Sequence, residues 1–248
     1  MHRFFVTADT IRDNLIEIDK EQTHHIEKVL RLKNGDYLEL FDGAGNEYIC
    51  RIHGNRNGLI LAEIEKHYFR ANQPAAQVVL AQGIAKGEKM DYVIQKAVEI
   101  GVYAIIPFVS ERTVVILNEQ KARQKVSRWQ NIAREACKQS GRNVIPEIKP
   151  IVKLPQLMNY VQDKRAVMLY EGEKNIGLRD ILIKYKDSLN VQSLTVMVGP
   201  EGGFSPAETE LAQNNNVILA GLGSRILRTE TAGLVAASII LYAAGDLG

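Results

Sequence analysis

The sequence has few of the features that mark a secreted, membrane-spanning or metal-binding protein. It contains only two cysteines, Cys50 and Cys137, which lie far apart and lack the Cys-x-x-Cys spacing of redox and zinc motifs. We therefore expect two reduced, buried thiols and no metal site. No apolar run approaches the roughly 20 residues that a membrane-spanning helix needs. The first residues also lack the apolar core of a secretory signal, and these absences together predict a cytoplasmic protein.

The net charge of the chain is also small, which argues against a protein that binds polyanions through overall positive charge. The formal net charge is +2, and residues 1–70 hold ten Lys and Arg against twelve Asp and Glu. Residues 121–142 differ, because they hold seven basic residues against the single acid Glu135. Such a segment is either an electrostatic footprint for phosphates or the solvated face of a helix. Charge counting alone leaves both interpretations open.

The common nucleotide-phosphate motifs are missing as well. Residues 83–89 come nearest to a Walker loop, but their spacing is wrong and no hydroxyl residue follows Lys89. The chain does contain two glycine-containing segments near its end, residues 199–208 and residues 222–232. Neither fits Gly-x-Gly-x-x-Gly. These segments predict a site for something other than a nucleotide phosphate.

Each glycine segment is predicted to join a buried strand to a helix. The first follows an apolar run at residues 193–198, and Ser205 with Glu208 forms the pattern of a capping box. The second follows a shorter apolar run at residues 217–220. In a parallel α/β sheet such loops lie at the carboxyl ends of strands, where ligands usually bind. We expect one pocket from both loops. The alternative is that glycine serves turn geometry alone.

The remaining pattern predicts two domains, residues 1–72 and residues 73–248. The first reads as a small β-barrel around one helix, which Asp19 and Gln22 open and which continues through Leu30, before the turn signal Asn34-Gly35. Its candidate strands lie at residues 4–6, 15–18, 37–41, 47–52 and 59–64. The second alternates strands and helices, which predicts a mostly parallel sheet. Its candidate helices lie at residues 90–98, 119–139 and 178–185, and after residue 228.

The two glycine segments resemble the cofactor-binding motifs of the SPOUT methyltransferases. Within that superfamily the chain is most similar to the RsmE family, which methylates N3 of a uridine in small-subunit ribosomal RNA. The likeness covers most of the chain and includes residues 24–31, 86–91, 95–101, 107, 110–112, 139–142 and 146. Lys138 departs from the pattern, because many members carry an acid there. The resemblance implies a PUA-like RNA-binding barrel at residues 1–72, a SPOUT domain with a C-terminal trefoil knot at residues 73–248, and a homodimer.

The resemblance also implies which residues bind. S-adenosylmethionine would be held mainly by main-chain groups at Tyr170, Gly199, Pro200, Glu201, Gly202, Leu219, Leu222, Gly223, Ile226 and Leu227. The candidate contacts to ribosomal RNA are the basic residues Arg31, Lys86, Lys89, Arg112, Arg134 and Arg142, although each of them taken alone is more often a solvated surface group. Leu219 has an equally plain interpretation as a core residue, because strand leucines are usually buried.

Methylation of a uridine nitrogen sets the demands on the remaining site residues. N3 carries a proton, so an enzyme must stabilise a developing anion on the base or remove the proton as the methyl arrives. We expect Arg228 to supply the positive charge and Glu230 or Glu201 to accept the proton. In the structural alternatives, Arg228 pairs with Glu230 or with a partner subunit, and Glu201 braces its loop.

Two other functions stay open at this stage. One is an RNA-binding ribosome-assembly factor that keeps the fold but does not methylate. The other is a SPOUT methyltransferase whose acceptor is a ribose hydroxyl or a transfer RNA.

Overall fold

The computed structural model describes residues 1–70, 73–115, 118–162, 164–189 and 192–247. These residues form two compact units. The first unit combines Met1–Gln73 with Arg134–Ile145, and the second combines Pro74–Ala133 with Pro146–Gly248. Residue 72, at the end of the first predicted domain, lies outside the described residues. The segment Arg134–Ile145 packs with the first unit, although sequence order places it in the second predicted domain.

The first unit is built on a six-stranded sheet. Its strands are β1 (His2–Phe5), β2 (Ile11–Arg12), β3 (Leu15–Glu17), β4 (Tyr37–Phe41), β5 (Asn46–Arg56) and β6 (Leu59–Phe69). Their order is β1-β4-β5-β6-β3-β2, with β1 parallel to β4 and the other pairs antiparallel. Alternate residues such as Leu38 and Leu40 point into the core, as the period of a strand requires. All five predicted strands are confirmed, and β2 is an addition.

The helix of the first unit begins as predicted and reaches the predicted Leu30. The Asp19 carboxylate accepts a hydrogen bond from the Gln22 amide at 2.9 Å and so caps α1 (Lys20–His24). The chain continues as one π-helical segment, His25–Val29, whose C-cap residue is Leu30. Arg31 has φ of 56°, in the left-handed region, and this conformation stops the helix. The predicted helix through Leu30 is therefore confirmed, although its last part is π-helical.

Both cysteines lie in the first unit as free, buried thiols. Burial raises the pKa of Cys50 to about 12 and that of Cys137 to about 11, although Arg142 and Arg3 oppose the shift at Cys137. Neither thiol ionises near neutral pH, so the prediction that both act as small buried hydrophobes is confirmed.

The second unit is a parallel sheet covered by helices. Its strands are β7 (Val78–Gly83), β8 (Ala104–Val109), β9 (Glu147–Ile148), β10 (Val152–Lys153), β11 (Arg165–Leu169), β12 (Leu194–Val198) and β13 (Ile218–Ala220). Its helices are α2 (Lys89–Ile100), α3 (Glu119–Ser140), α4 (Leu154–Val161), α5 (Leu178–Tyr185), α6 (Pro206–Asn214) and α7 (Thr229–Ala243). The last residues of α3 pack with the first unit. Every strand pair is parallel, which confirms the predicted sheet type.

The strand order decides where a ligand could bind. The sheet runs β10-β8-β7-β12-β11-β13, with β9 also beside β8, so β12 lies between β7 and β11. All residues of β7 and β12 are buried, which is typical of a parallel sheet with both faces covered. Because β11, β12 and β13 are neighbours and parallel, the loops that follow them lie at the same edge of the sheet. No helix among the described residues is long and apolar enough to cross a membrane.

Candidate active site

The loop after β12 is anchored by the predicted capping box. The Ser205 hydroxyl accepts a hydrogen bond from the Glu208 amide at 3.3 Å, and the Glu208 carboxylate accepts one from the Ser205 amide at 2.9 Å. Pro206 occupies the first turn of α6. Gly203, with φ of 66°, lets the chain turn between strand and helix. The strand, loop and helix predicted from residues 193–208 are therefore confirmed.

A cavity of about 450 Å³ opens where the loops after β11, β12 and β13 meet the first turn of α7. All but one of the residues proposed for cofactor binding line it. These are Tyr170, Gly199, Pro200, Glu201, Gly202, Leu222, Gly223, Ile226 and Leu227. The Ile226 side chain is 78% exposed, so an apolar surface faces open space at this cavity. The two glycine segments do build one pocket, as the sequence suggested.

Leu219 is the exception. It is only 8% exposed and packs in the core of the second unit with Ala212 and Val217. It does not line the cavity. The structure thus supports the core interpretation of Leu219, because this residue lies in the middle of β13, whereas Gly221 and Leu222 lie beyond the carboxyl end of the strand.

The loops after β11 and β13 are joined to each other by main-chain hydrogen bonds. The Tyr170 amide donates to the Ala220 carbonyl at 3.0 Å, and the Gly221 amide donates to the Ile176 carbonyl at 2.8 Å. The Leu178 amide donates to the Gly221 carbonyl at 3.1 Å. This wall of the cavity is therefore set by backbone geometry, which suits a ligand that main-chain groups recognise.

A buried polar network lies beside the cavity, and sequence analysis missed it. Gln82, on β7, donates from Nε2 to the Thr229 hydroxyl at 2.9 Å. That hydroxyl donates to the Gly199 carbonyl at 2.5 Å. The network ties β7 and α7 to the glycine loop after β12. The sequence feature that could have indicated this network is Gln82, a single glutamine within the otherwise apolar run of β7.

Three charged side chains from different elements meet at the cavity. The Lys89 ammonium lies 3.0 Å from Glu201 Oε1 and 3.4 Å from Glu230 Oε2. The hydrogen bond to Glu201 is the main cause that raises the pKa of Lys89. The sequence assigned Lys89 to RNA, but in the structure it pairs with two carboxylates at the site where cofactor was expected.

Glu201 is strongly held in place. Its carboxylate accepts hydrogen bonds from the Lys86 amide at 3.1 Å and from the Lys89 ammonium. Burial raises the pKa of Glu201, but hydrogen bonds from its own amide, from Lys89 and from Lys86 lower it below the usual value. A carboxylate with a lowered pKa is a weak proton acceptor. These contacts favour the interpretation of Glu201 as a brace of its loop.

Arg228 and Glu230 lie at the start of α7. Arg228 is exposed, lines the cavity and is the N-cap residue of the helix, while Glu230 lies in the first turn. Within the part of the chain that the structure describes, Glu230 pairs with Lys89 and Arg228 forms no ion pair. The guanidinium group of Arg228 is therefore available to a substrate, and the alternative in which it pairs with Glu230 is not observed.

The other residues assigned to RNA divide into exposed and packed groups. Arg31, Lys86 and Arg112 are exposed, and Arg112 also donates to the Gly202 carbonyl at 3.0 Å. Arg134 lies with its guanidinium group 4.4 Å from the centre of the Phe5 ring.

The structure contradicts the interpretation of Arg142 as a surface contact for RNA. It is 6% exposed and donates to Gln73 Oε1 at 2.8 Å within the first unit. The packing of Arg134–Ile145 against that unit buries its guanidinium group, so it is not a surface contact for RNA. Lys138, the departure from the family pattern, lies 4.9 Å from the centre of the Phe4 ring and 3.7 Å from Glu135.

Comparison with known proteins identifies the family. A profile described as an RNA methyltransferase domain matches residues 71–241, and one described as an RNA methyltransferase PUA domain matches residues 18–64. The chain belongs to this RNA methyltransferase family. The first profile covers more than half of the chain and includes every loop that lines the cavity.

Several relatives resemble this chain over nearly their whole length. The ribosomal RNA small subunit methyltransferase E of Bacillus subtilis is 35% identical over 98% of this chain and 96% of its own. The enzyme of the same name from Neisseria gonorrhoeae, solved bound to S-adenosyl methionine, is 32% identical with a TM-score of 0.85, covering 97% of this chain and 96% of its own. A putative methyltransferase from Legionella pneumophila, solved with bound cofactor, is 31% identical with a TM-score of 0.85, covering 97% of both chains.

Proposed function

We propose that this protein transfers the methyl group of S-adenosylmethionine to N3 of one uridine in small-subunit ribosomal RNA. The observation that carries the proposal is the cavity formed by three main-chain loops at the carboxyl ends of β11, β12 and β13. The similar enzymes from Bacillus subtilis and Neisseria gonorrhoeae support the same class of RNA. The two similar structures solved with bound cofactor support S-adenosylmethionine. The cytoplasm, where ribosomal RNA is modified, is the location that fits this activity.

The chemistry of the cavity suits a sulfonium cofactor. Backbone amides and carbonyls of the glycine loops would hold the polar groups of the ligand, and Leu222, Ile226 and Leu227 would supply apolar surface for its adenine ring. The carboxylate of Glu201 disfavours a phosphate at this position, but it tolerates a ligand that carries positive charge. The Thr229 hydroxyl holds the Gly199 carbonyl in place through a hydrogen bond.

Methyl transfer to N3 needs alignment and a means of handling the N3 proton. Alignment of nitrogen, methyl and sulfur supplies much of the acceleration, because the leaving thioether is neutral. Arg228 stabilises negative charge on O2 or O4 of the base, and Glu230 accepts the proton. RNA is held by the PUA-like unit and by exposed cations such as Arg31, Lys86 and Arg112.

The C-terminal part of the chain forms a trefoil knot in this proposal. Two observations support it: β12 is inserted between β7 and β11, and α7 packs back against β7, β12 and α2. A knotted chain would hold the three cavity loops together without a disulfide bond.

The proposal is tested by binding and by mapping of modified RNA. Calorimetric titration should show S-adenosylmethionine binding to the purified protein. Mass mapping of ribosomal RNA should show one uridine base that lacks a methyl group in cells without the protein, and the purified protein should restore it on small subunits. Absence of cofactor binding would instead favour a non-catalytic assembly factor, and a methyl group on a ribose or on transfer RNA would favour the other acceptor class.

The assembly state is a homodimer in this proposal, and α7 offers the surface for it. Ile239 and Tyr242 lie three residues apart on α7, and Tyr242 is 71% exposed. Apolar side chains at this spacing are typical of a helix that packs against a partner. We expect Tyr242→Glu to raise the dimer dissociation constant by about tenfold or more, because it places a charge in an apolar contact. Sedimentation velocity measures the change.

The matched control is Tyr160→Glu, which changes an exposed tyrosine on α4. This variant should sediment as the unmodified protein does. A wild-type protein that sediments as a monomer at all concentrations would contradict the dimer.

A further inference from the structure

The cluster formed by Lys89, Glu201 and Glu230 joins three separate elements at the cavity. Lys89 begins α2, Glu201 lies in the loop after β12, and Glu230 lies in the first turn of α7. All three line the cavity. One ammonium group contacts both carboxylates, at 3.0 Å and 3.4 Å. A cation in this position contacts and orients two acids at once.

The two carboxylates depend on Lys89 to different degrees. Glu201 keeps a hydrogen bond from the Lys86 amide at 3.1 Å whether or not Lys89 is present. Glu230 Oε2 is sealed from solvent and accepts no hydrogen bond from the residues that the structure describes. The Glu230 side chain is 17% exposed, and Lys89 is the cation beside it. A buried carboxylate without a donor is costly unless an opposite charge lies near.

We infer that Lys89 is a positioning residue for methyl transfer, and that its ammonium group holds the Glu230 carboxylate in place at the cavity as the proton acceptor. This inference rests on the proposed function. In the transfer, the N3–H proton passes to the Glu230 carboxylate, and the electron pair of that bond forms the new bond from nitrogen to methyl carbon. The pair of the sulfur–methyl bond stays on sulfur, which leaves a neutral thioether.

The other charges around Glu230 do not replace Lys89. Arg228 precedes it on the same element and is exposed, with its guanidinium group free to meet the base. Glu201 faces the same ammonium with negative charge. Further charged side chains that line the cavity are Glu171, Glu173, Lys174 and Arg225. The N-terminus of α7 favours an acid in its first turn, but such an effect is small beside a contacting cation.

The experiment compares Lys89→Met with Lys89→Arg in single-turnover methylation of small ribosomal subunits, with the transfer rate and the affinity for S-adenosylmethionine measured separately. Loss of the cation removes the contact that holds the Glu230 carboxylate, so we expect the transfer rate to fall by about 10-fold to 100-fold in Lys89→Met. Lys89→Arg keeps the charge and should keep most of the rate. Cofactor affinity should change by no more than about twofold, because main-chain groups bind the cofactor.

Two controls separate this inference from a general loss of structure. Lys96→Met removes another lysine from α2, one that pairs with Glu99 away from the cavity, and should leave the transfer rate unchanged. In a Glu230→Gln background, Lys89→Met should lower the transfer rate no further, because the carboxylate that Lys89 positions is gone. Lys89→Gln, which keeps a polar side chain, should behave as Lys89→Met does.

The outcomes are distinguishable. Failure of the wild-type protein to bind S-adenosylmethionine would overturn the proposed function itself. Intact cofactor binding with an unchanged transfer rate in Lys89→Met and Lys89→Gln would overturn the role of Lys89 alone. Loss of activity in Lys89→Arg equal to that in Lys89→Met would also overturn it, because charge would then not be the cause.

Discussion

Replacing Arg228 with alanine is expected to lower the rate of methyl transfer by about 100-fold or more while cofactor affinity stays nearly unchanged. Arg228 is exposed at the cavity and forms no ion pair among the described residues. Its positive charge is therefore available for the negative charge that develops on the uridine base. A charge that acts mainly in the transition state contributes to the rate and little to binding of the cofactor.

The measurement is single-turnover methylation of small ribosomal subunits, with calorimetric titration of S-adenosylmethionine as the companion. Arg228→Lys should recover part of the rate, because it restores the charge but not the planar, two-pronged hydrogen bonding of a guanidinium group. Unchanged methylation by Arg228→Ala would remove this residue from the mechanism. Loss of cofactor binding in the same variant would assign Arg228 to the cofactor instead.

Local features of the site could be predicted because they depend on residues close together in the chain. The capping box of Ser205 and Glu208 spans three residues, and both of its hydrogen bonds are present. Apolar runs gave the parallel strands and helical spacing gave the helices. The first helix could be predicted through Leu30, because its capping residues Asp19 and Gln22 lie three residues apart.

The contacts that give the site its chemistry could not be predicted in this way. Lys89 and Glu201 are 112 residues apart in the chain, and only the sheet order brings them together. Lys89 was interpreted as an RNA contact because the sequence shows the charge of a lysine but not the partner of that charge. The same reason explains Arg142, whose guanidinium group is buried when Arg134–Ile145 packs with the first unit.

The second large effect is expected from Gly221→Ala, which should weaken S-adenosylmethionine binding by about 10-fold to 100-fold. A Cβ atom at this position would lie 2.8 Å from the Glu173 carbonyl oxygen, which belongs to the backbone and cannot rotate away. The loop after β11 or the loop after β13 must therefore move. Both line the cavity, so the main-chain groups that bind the cofactor would be displaced, and about 1.4 kcal/mol is lost for each tenfold decrease in affinity.

Calorimetric titration measures this effect, and thermal unfolding shows whether the variant still folds. Gly54→Ala is the matched control, because a Cβ atom at Gly54 on β5 has no neighbour within 4 Å and the backbone there is not left-handed. This control should bind the cofactor as the wild-type protein does. Wild-type affinity in a folded Gly221→Ala protein would mean that the close approach of the two loops does not shape the cofactor site, and it would place the ligand elsewhere along the edge of the sheet.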